Sequence, residues 1–430
     1  MAEDEAADLQ AVVEQPVTGT FRLTRRISRE WWGVLGLPLL LASGLVYLLP
    51  RLLRQSGAPG RAKVVRQAGL QALGWGGVDL AAMAGLPLLR LSYDPVRAAF
   101  LNLLGGRAAI SGAATALALA SRLFAPDLSP AGVRGFRRAL WAVHGAVTAL
   151  IVYATYIEGQ RLQVTRTALA FPGRTPGAPP VRFRLAHLSD IHVERLTHRD
   201  EAMLSRLKQA RPDLILLTGD YLNIDYYDKA SYATLRALMA GLAALAPRYG
   251  VYGTLGNNDP PAETRAALDE TGVRLLDTTV VCLEIDGRQV QIVGVRTNED
   301  ADWQADLPRF RAAVAQADAA GRPDLRILLY HMPDLAPQAA NADVDLYLCG
   351  HTHGGQIRLP LVGALRTGSR FGKRYVIGLN RLPNDGYIHT NRGLGFEGMS
   401  LPRIRTFCPP EVALFDVTIG ACTGERDPAT

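Results

Sequence analysis

Five short polar segments punctuate this 430-residue chain after residue 188, and each closes a run of apolar residues. In order they are Ser189-Asp190-Ile191-His192, Gly219-Asp220, Gly256-Asn257-Asn258-Asp259, His331 and Gly350-His351-Thr352-His353. The runs before them, 183–188, 213–217, 251–255, 327–330 and 345–349, are short enough to be buried strands. Ala/Leu/Arg-rich stretches at 199–209, 229–245 and 310–320 read as intervening helices. Asp286-Gly287, between apolar 280–285 and 290–295, is a hairpin signal. Strands alternating with helices give an α/β sheet core, whose ligands gather beyond the carboxyl ends of the strands. Five strand ends therefore deliver carboxylate, amide and imidazole groups to one rim.

Those groups suit two adjacent cations. Asp190 and His192 can reach one cation once the segment leaves regular strand geometry. Gly219 lets the backbone turn tightly, so that Asp220 can lie close to both. Asn257 offers a neutral oxygen to the second cation, His331 joins it, and the His351/His353 turn can give one imidazole to each. Nitrogen and oxygen ligands favour Mn, Fe or Zn as the two divalent metal ions. Cations roughly 3.5–4 Å apart would hold a bridging hydroxide and clamp a phosphoryl oxygen for in-line attack. One Asp-x-His alone means little, because strand-end turns are rich in Asp and Gly. Four of the eight histidines on such positions is a pattern that packing does not require. His187 and His389 read as buried histidines, and His198 as a solvated one before a helix.

The first 160 residues have a different texture. Residues 31–50 carry no charge, and twenty residues of helix span about 30 Å of hydrocarbon. Residues 139–157 form a second such stretch. Residues 68–89 and 98–121 are each interrupted by one charge, Asp79 and Arg107. Four spans are expected, with Asp79 and Arg107 paired between consecutive antiparallel segments, which would relieve the cost of each. His144 reads as a packed histidine. The net charge of +7 sits mostly in Arg clusters beside these stretches, so a lipid bilayer and not nucleic acid is the expected partner. The expected map is a polar segment 1–30, a transmembrane region 31–160, a Pro/Gly-rich linker 161–180, a catalytic domain 181–418 and a disordered polar tail 419–430. Cys282, Cys349, Cys408 and Cys422 form no C-x-x-C pair, and Cys349 reads as a small buried hydrophobe.

The segments together resemble the calcineurin-like metallophosphoesterases, with their order D-x-H, G-D, G-N-H-D/E, H and G-H-x-H. The run His331 to Pro360, with Asn391-Arg392-Gly393-Leu394-Gly395 and Pro410-Glu411-Val412, is similar to the membrane-associated YaeI/YkuE branch. The resemblance covers about residues 180–418, and a multi-span relative shares the layout at the front. It implies a four-layer sheet-on-sheet sandwich flanked by helices. It also implies metal one on Asp190, His192, Asp220 and His353, and metal two on Asp220, Asn257, His331 and His351. By resemblance, the basic first and third connections face the cytoplasm and the catalytic domain lies outside, in a multi-pass cell-membrane protein. The implied reaction is hydrolysis of a phosphodiester or pyrophosphate, on a lipid-linked or nucleotide-sugar substrate such as UDP-2,3-diacylglucosamine.

One position departs from the pattern. Asn258 stands where the family has His, a group thought to steady the transition state or protonate the leaving oxygen. An amide can donate a hydrogen bond but cannot give up a proton at useful pH. Asp259 is expected to orient its neighbours, and His187 or a metal-bound water could take over as acid. A catalytically weakened metal-binding sensor or scaffold is the alternative that Asn258 supports.

Overall fold

The computed structural model describes residues 44–85, 95–174, 179–223, 229–397 and 404–420. Two compact units divide the described chain, one helical up to Tyr156 and one α/β from Ile157.

The helical unit contains α1 (Leu49–Gln55), α2 (Pro59–Gly85), α3 (Pro95–Ala120) and α4 (Pro130–Val152). The last three begin with Pro, whose fixed φ and missing N–H suit the first helical turn. Ser129 caps α4 by accepting from Gly132 N at 3.1 Å. The pair expected from sequence is made: Arg107 donates to both oxygens of Asp79 at 3.0 Å. Its remaining N–H groups reach the His144 carbonyl at 2.8 Å and Thr148 Oγ1 at 2.6 Å.

The four expected spans find no support in the described helices. Among the described residues, no helix is long and apolar enough to cross a membrane. Helix α2 starts well before residue 68, so it carries Arg61, Lys63 and Arg66 besides Asp79. Helix α4 likewise takes in Arg134, Arg137 and Arg138, and its α-helical geometry stops at Val152, inside the apolar stretch. Residues 31–43, most of the first expected span, lie outside the described residues, as do 1–30 and 421–430.

In the α/β unit the strands are β1 (Gln163–Phe171), β2 (Val181–Leu188), β3 (Leu214–Leu217), β4 (Val251–Gly253) and β5 (Val273–Leu275). They continue with β6 (Thr279–Ile285), β7 (Arg288–Val295), β8 (Leu325–Tyr330), β9 (Leu346–Cys349) and β10 (Arg358–Leu359). The last are β11 (Gly363–Ala364), β12 (Gly378–Arg381), β13 (Tyr387–Thr390) and β14 (Glu411–Ile419). Five helices accompany them: α5 (His198–Ala210), α6 (Lys229–Ala243), α7 (Pro261–Leu268), α8 (Leu307–Ala319) and α9 (Ala336–Asn341).

Two six-stranded sheets result, ordered β1-β14-β2-β3-β4-β5 and β12-β13-β9-β8-β7-β6. Strands β2 to β5 run parallel in the first, and β7, β8, β9 and β13 in the second. The expected hairpin is present as β6–β7, with Asp286 and Gly287 at φ 46° and 85°. Side-chain alternation sorts the strands into layers. On β3, Leu214 and Leu216 face the space between the sheets, while Ile215 and Leu217 meet Met203 of α5 and Leu238 of α6. On β8, Ile327 and Leu329 take the inner layer, and Leu328 and Tyr330 pack toward Phe310 of α8 and Ala339 of α9. This is the helix-sheet-sheet-helix sandwich that the resemblance implies. Each fully buried Leu contributes roughly 1.5–3 kcal/mol.

Residues 161–180, expected as a linker, hold the edge strand β1, which pairs with β14 from Gln163↔Glu411 to Phe171↔Ile419. Its exposed, polar alternation suits an edge.

Candidate metal centre

Strands β2, β3 and β4 of one sheet and β8, β9 and β13 of the other end at the same rim, and the polar segments start immediately beyond them. Five of the seven expected ligands bend there with positive φ: Asp190 (48°), His192 (46°), Asp220 (55°), His351 (65°) and His353 (50°). Left-handed backbone at non-glycine residues costs on the order of 1–3 kcal/mol each and gathers at functional sites. Glycine makes the bends possible by close approach. A Cβ on Gly350 would fall 2.0 Å from Asp190 Oδ2 and Ser189 Oγ.

The expected residues converge. His192 Nε2 lies 3.1 Å from His353 Nε2 and 3.6 Å from Asp220 Oδ2. His353 Nε2 is 3.3 Å from Asp190 Oδ1. On the other side, His331 Nε2 is 3.2 Å from Asp220 Oδ2, and His351 Nδ1 is 3.1 Å from Asn257 Oδ1. Two overlapping groups have ligand atoms all within 4.8 Å of one another: Asp190, His192 and His353, and Asp190, Asp220 and His331. Asp190 is common to both groups. Asp220, the expected bridge, still reaches a histidine of each, His192 and His331.

The surrounding hydrogen bonds fix which atoms face inward. His192 Nδ1 donates to the Leu222 carbonyl at 3.2 Å and His331 Nδ1 to the Thr218 carbonyl at 2.7 Å. Each ring thereby turns Nε2 to the centre, as metal-binding histidines do. His331 Nε2 is buried without a hydrogen-bond partner. Imidazole nitrogens and carboxylate oxygens thus crowd together in a buried cluster, a ligand set that fits divalent cations. The cluster is compatible with two of them.

Burial and mutual charge dominate the titration of the site. Burial raises the Asp190 carboxyl, and Asp220 adds to this against His331, so it rises to about 6. Asp220 is held well below the carboxylate range, because His331, His192 and hydrogen bonds outweigh its burial. Burial opposes charge on His331, yet Asp220 and Asp190 push it up to about 10. His192 and His351 fall to about 4 and about 3, chiefly by burial.

Asn258 does not point at open space. Its backbone N–H donates to Asp220 Oδ1 at 2.9 Å and its Nδ2 to Asp220 Oδ2 at 2.8 Å, so it clamps that carboxylate. Asp259 accepts the N–H groups of Asp220, Tyr221 and Gly256 at 2.7, 2.8 and 2.8 Å, tying the second segment to the third. His187, expected as one possible acid, lies buried in a hydrogen-bonded pair. Its Nε2 meets Thr218 Oγ1 at 2.9 Å and its Nδ1 meets His389 Nδ1 at 3.0 Å, so both ring nitrogens are engaged.

Four contributors were not singled out from sequence. Gly393 and Gly395, in a segment carried only by the resemblance, back the site: Cβ atoms there would lie 2.6 Å from Asp190 Cβ and 2.5 Å from His192 Cβ. Arg405 is fully buried, and its Nη2 lies 3.2 Å from His353 Nδ1. Glu397 brings Oε2 to 3.6 Å from His353 Nε2. Neither Arg405 nor Glu397 follows an apolar strand, so strand-end reasoning could not reach them.

A sandwich with this rim defines a class, and comparison with known proteins agrees. Residues 183–355 match the family model of the calcineurin-like phosphoesterases. The chain is 32% identical over 274 residues to the phosphodiesterase YaeI of Escherichia coli K12, covering 62% of this chain and 92% of that protein. It is 29% identical over 274 residues to the metallophosphoesterase YkuE of Bacillus subtilis 168, covering 61% and 88%. It is also similar, at 24% identity, to a Danio rerio transmembrane protein with a metallophosphoesterase domain, over 51% of this chain and 50% of that one. The chain belongs to the calcineurin-like phosphoesterase family. It is a hydrolase acting on ester bonds.

Proposed function

We propose that the chain is a two-metal phosphodiesterase whose metals are held by Asp190, His192, Asp220 and His353 on one side and Asp220, Asn257, His331 and His351 on the other. The observation that carries this reading is the convergence of buried carboxylate oxygens and imidazole nitrogens from five chain segments on two overlapping groups. Two divalent cations there would supply Lewis acidity toward a phosphoryl oxygen and a nucleophilic water at neutral pH. The chain's own groups hold the arrangement. Asn258 fixes Asp220, Asp259 fixes the backbone beneath it, and the Thr218 and Leu222 carbonyls fix the imidazoles.

Asn258 has no proton to give the leaving oxygen. General acid assistance is worth on the order of 10²–10⁴-fold, so good leaving groups should be favoured strongly. Asn258→His, assayed on an alkyl phosphodiester, tests this: a gain on the order of 10²-fold is expected, and an unchanged rate would sink it.

The substrate class we assign is a phosphodiester or pyrophosphate on an amphiphile, with UDP-2,3-diacylglucosamine the first to assay. Support comes from the helical unit, which exposes Leu70, Leu73, Leu117, Trp141 and Leu150, side chains suited to lipid contact. We place this unit on the cell membrane and the α/β unit on its outer face, a reading that rests on the basic connections. Protease cleavage of the α/β unit in intact cells supports that side, and protection would reverse it.

A further inference from the structure

Beside the metal centre a short ribbon stands out from the sandwich. Strands β10 and β11 pair Arg358↔Ala364 and Leu359↔Gly363, leaving Pro360-Leu361-Val362 as the tip. Leu361 is fully exposed, and Leu359, Val362, Leu365 and Phe407 are 44–58% exposed. Phe407 belongs to the group because Thr406 bridges to Ile357 at the ribbon's root. The root itself is firm. A Cβ on Gly355, in the turn after His353, would lie 2.3 Å from Ala364 Cβ, and Lys373 Nζ holds the Val362 carbonyl at 2.7 Å. The descending leg runs past the site, since a Cβ on Gly368 would lie 3.9 Å from His351 Nε2.

Charge along the ribbon and the segment that follows it has one sign. Residues 346–384 contain Arg358, Arg366, Arg370, Lys373, Arg374 and Arg381 and no Asp or Glu. Arg366, Lys373 and Arg374 are exposed. A convex aliphatic tip with a basic rim matches a fluid anionic surface better than a shaped protein pocket, because lipid closes around any protrusion. Basic side chains draw such a tip to anionic headgroups, and its aliphatic groups enter the acyl boundary.

We propose that the β10–β11 ribbon docks on an anionic lipid surface and brings lipid phosphodiesters to the rim beside His351. This rests on the phosphodiesterase reading for its purpose, but its test does not depend on turnover.

The test is Leu361→Trp in the full chain, mixed with vesicles of brominated phosphatidylcholine, alone or with brominated phosphatidylglycerol. The added emission should shift to the blue and be quenched, with half-saturation on the order of ten-fold lower in the anionic vesicles. No change with either vesicle overturns the proposal, leaving a protein partner as the tip's ligand. Equal response to both vesicles overturns the anionic preference. Hydrolysis of soluble bis-p-nitrophenyl phosphate by the same variant, unchanged from the parent, shows that the fold and centre are intact. Loss of that hydrolysis in the parent would instead count against the phosphodiesterase reading.

Discussion

At residue scale the centre depends on carboxylates that never face substrate. Asp259 takes three backbone N–H groups and holds Asp220 in its left-handed conformation. Asp259→Ala leaves those donors buried and unpaired, which costs about 1–3 kcal/mol for each. A fall in urea midpoint together with loss of turnover is the expected result. Asn258→Ala frees Asp220 and should weaken Mn²⁺ affinity on the order of 10–100-fold, read by metal titration. Glu411 contributes to the acid sensitivity of the α/β unit. Burial opposes its charge, but His389, Arg392 and hydrogen bonds from Thr165 and Arg392 outweigh this and hold its carboxyl below the usual range. A lowered folded value means stability present above the unfolded value and lost as pH falls through the folded one. Glu411→Gln should therefore flatten the fall of the denaturation midpoint in acid, while leaving less stability at neutral pH.

At element scale the strands that end in polar segments were legible because each is a short apolar run closed by turn residues. Residues 183–188 lie inside β2, and 345–349 differ from β9 by one residue. Strand β1 was not legible. Its first five residues are mostly polar, no motif follows it, and its partner β14 lies over two hundred residues away. Arg405 and Gly393 were illegible for a similar reason, since long-range contacts alone bring them to Asp190 and His353. Gly393 has φ 71° and no room for a side chain against Asp190. Gly393→Ala should shift Asp190 and cost at least about 1–3 kcal/mol, visible as a lowered Tm with weakened metal binding.

For the whole molecule, the helical unit tests how far charge patterns predict a fold. Asp79 and Arg107 were expected to pair and do, with His144 and Thr148 completing the network. The expected crossings find no support among the described helices, because apolar stretches do not show where helices start, and α2 and α4 start among charges. Asp79→Leu strands a buried guanidinium and should cost about 3–5 kcal/mol, seen as early melting of helical signal. Adding Arg107→Leu should restore part of it, less the bonds to His144 and Thr148.

The most direct measurement is hydrolysis of bis-p-nitrophenyl phosphate by the full chain with Mn²⁺, beside Asp220→Ala and a chelated sample. Its leaving group needs little protonation, so Asn258 should not mask a working centre. Metal-dependent turnover that falls at least on the order of 10²-fold in Asp220→Ala is predicted. Turnover that survives the chelator, or that Asp220→Ala leaves intact, would contradict the assignment of this rim as the catalytic centre.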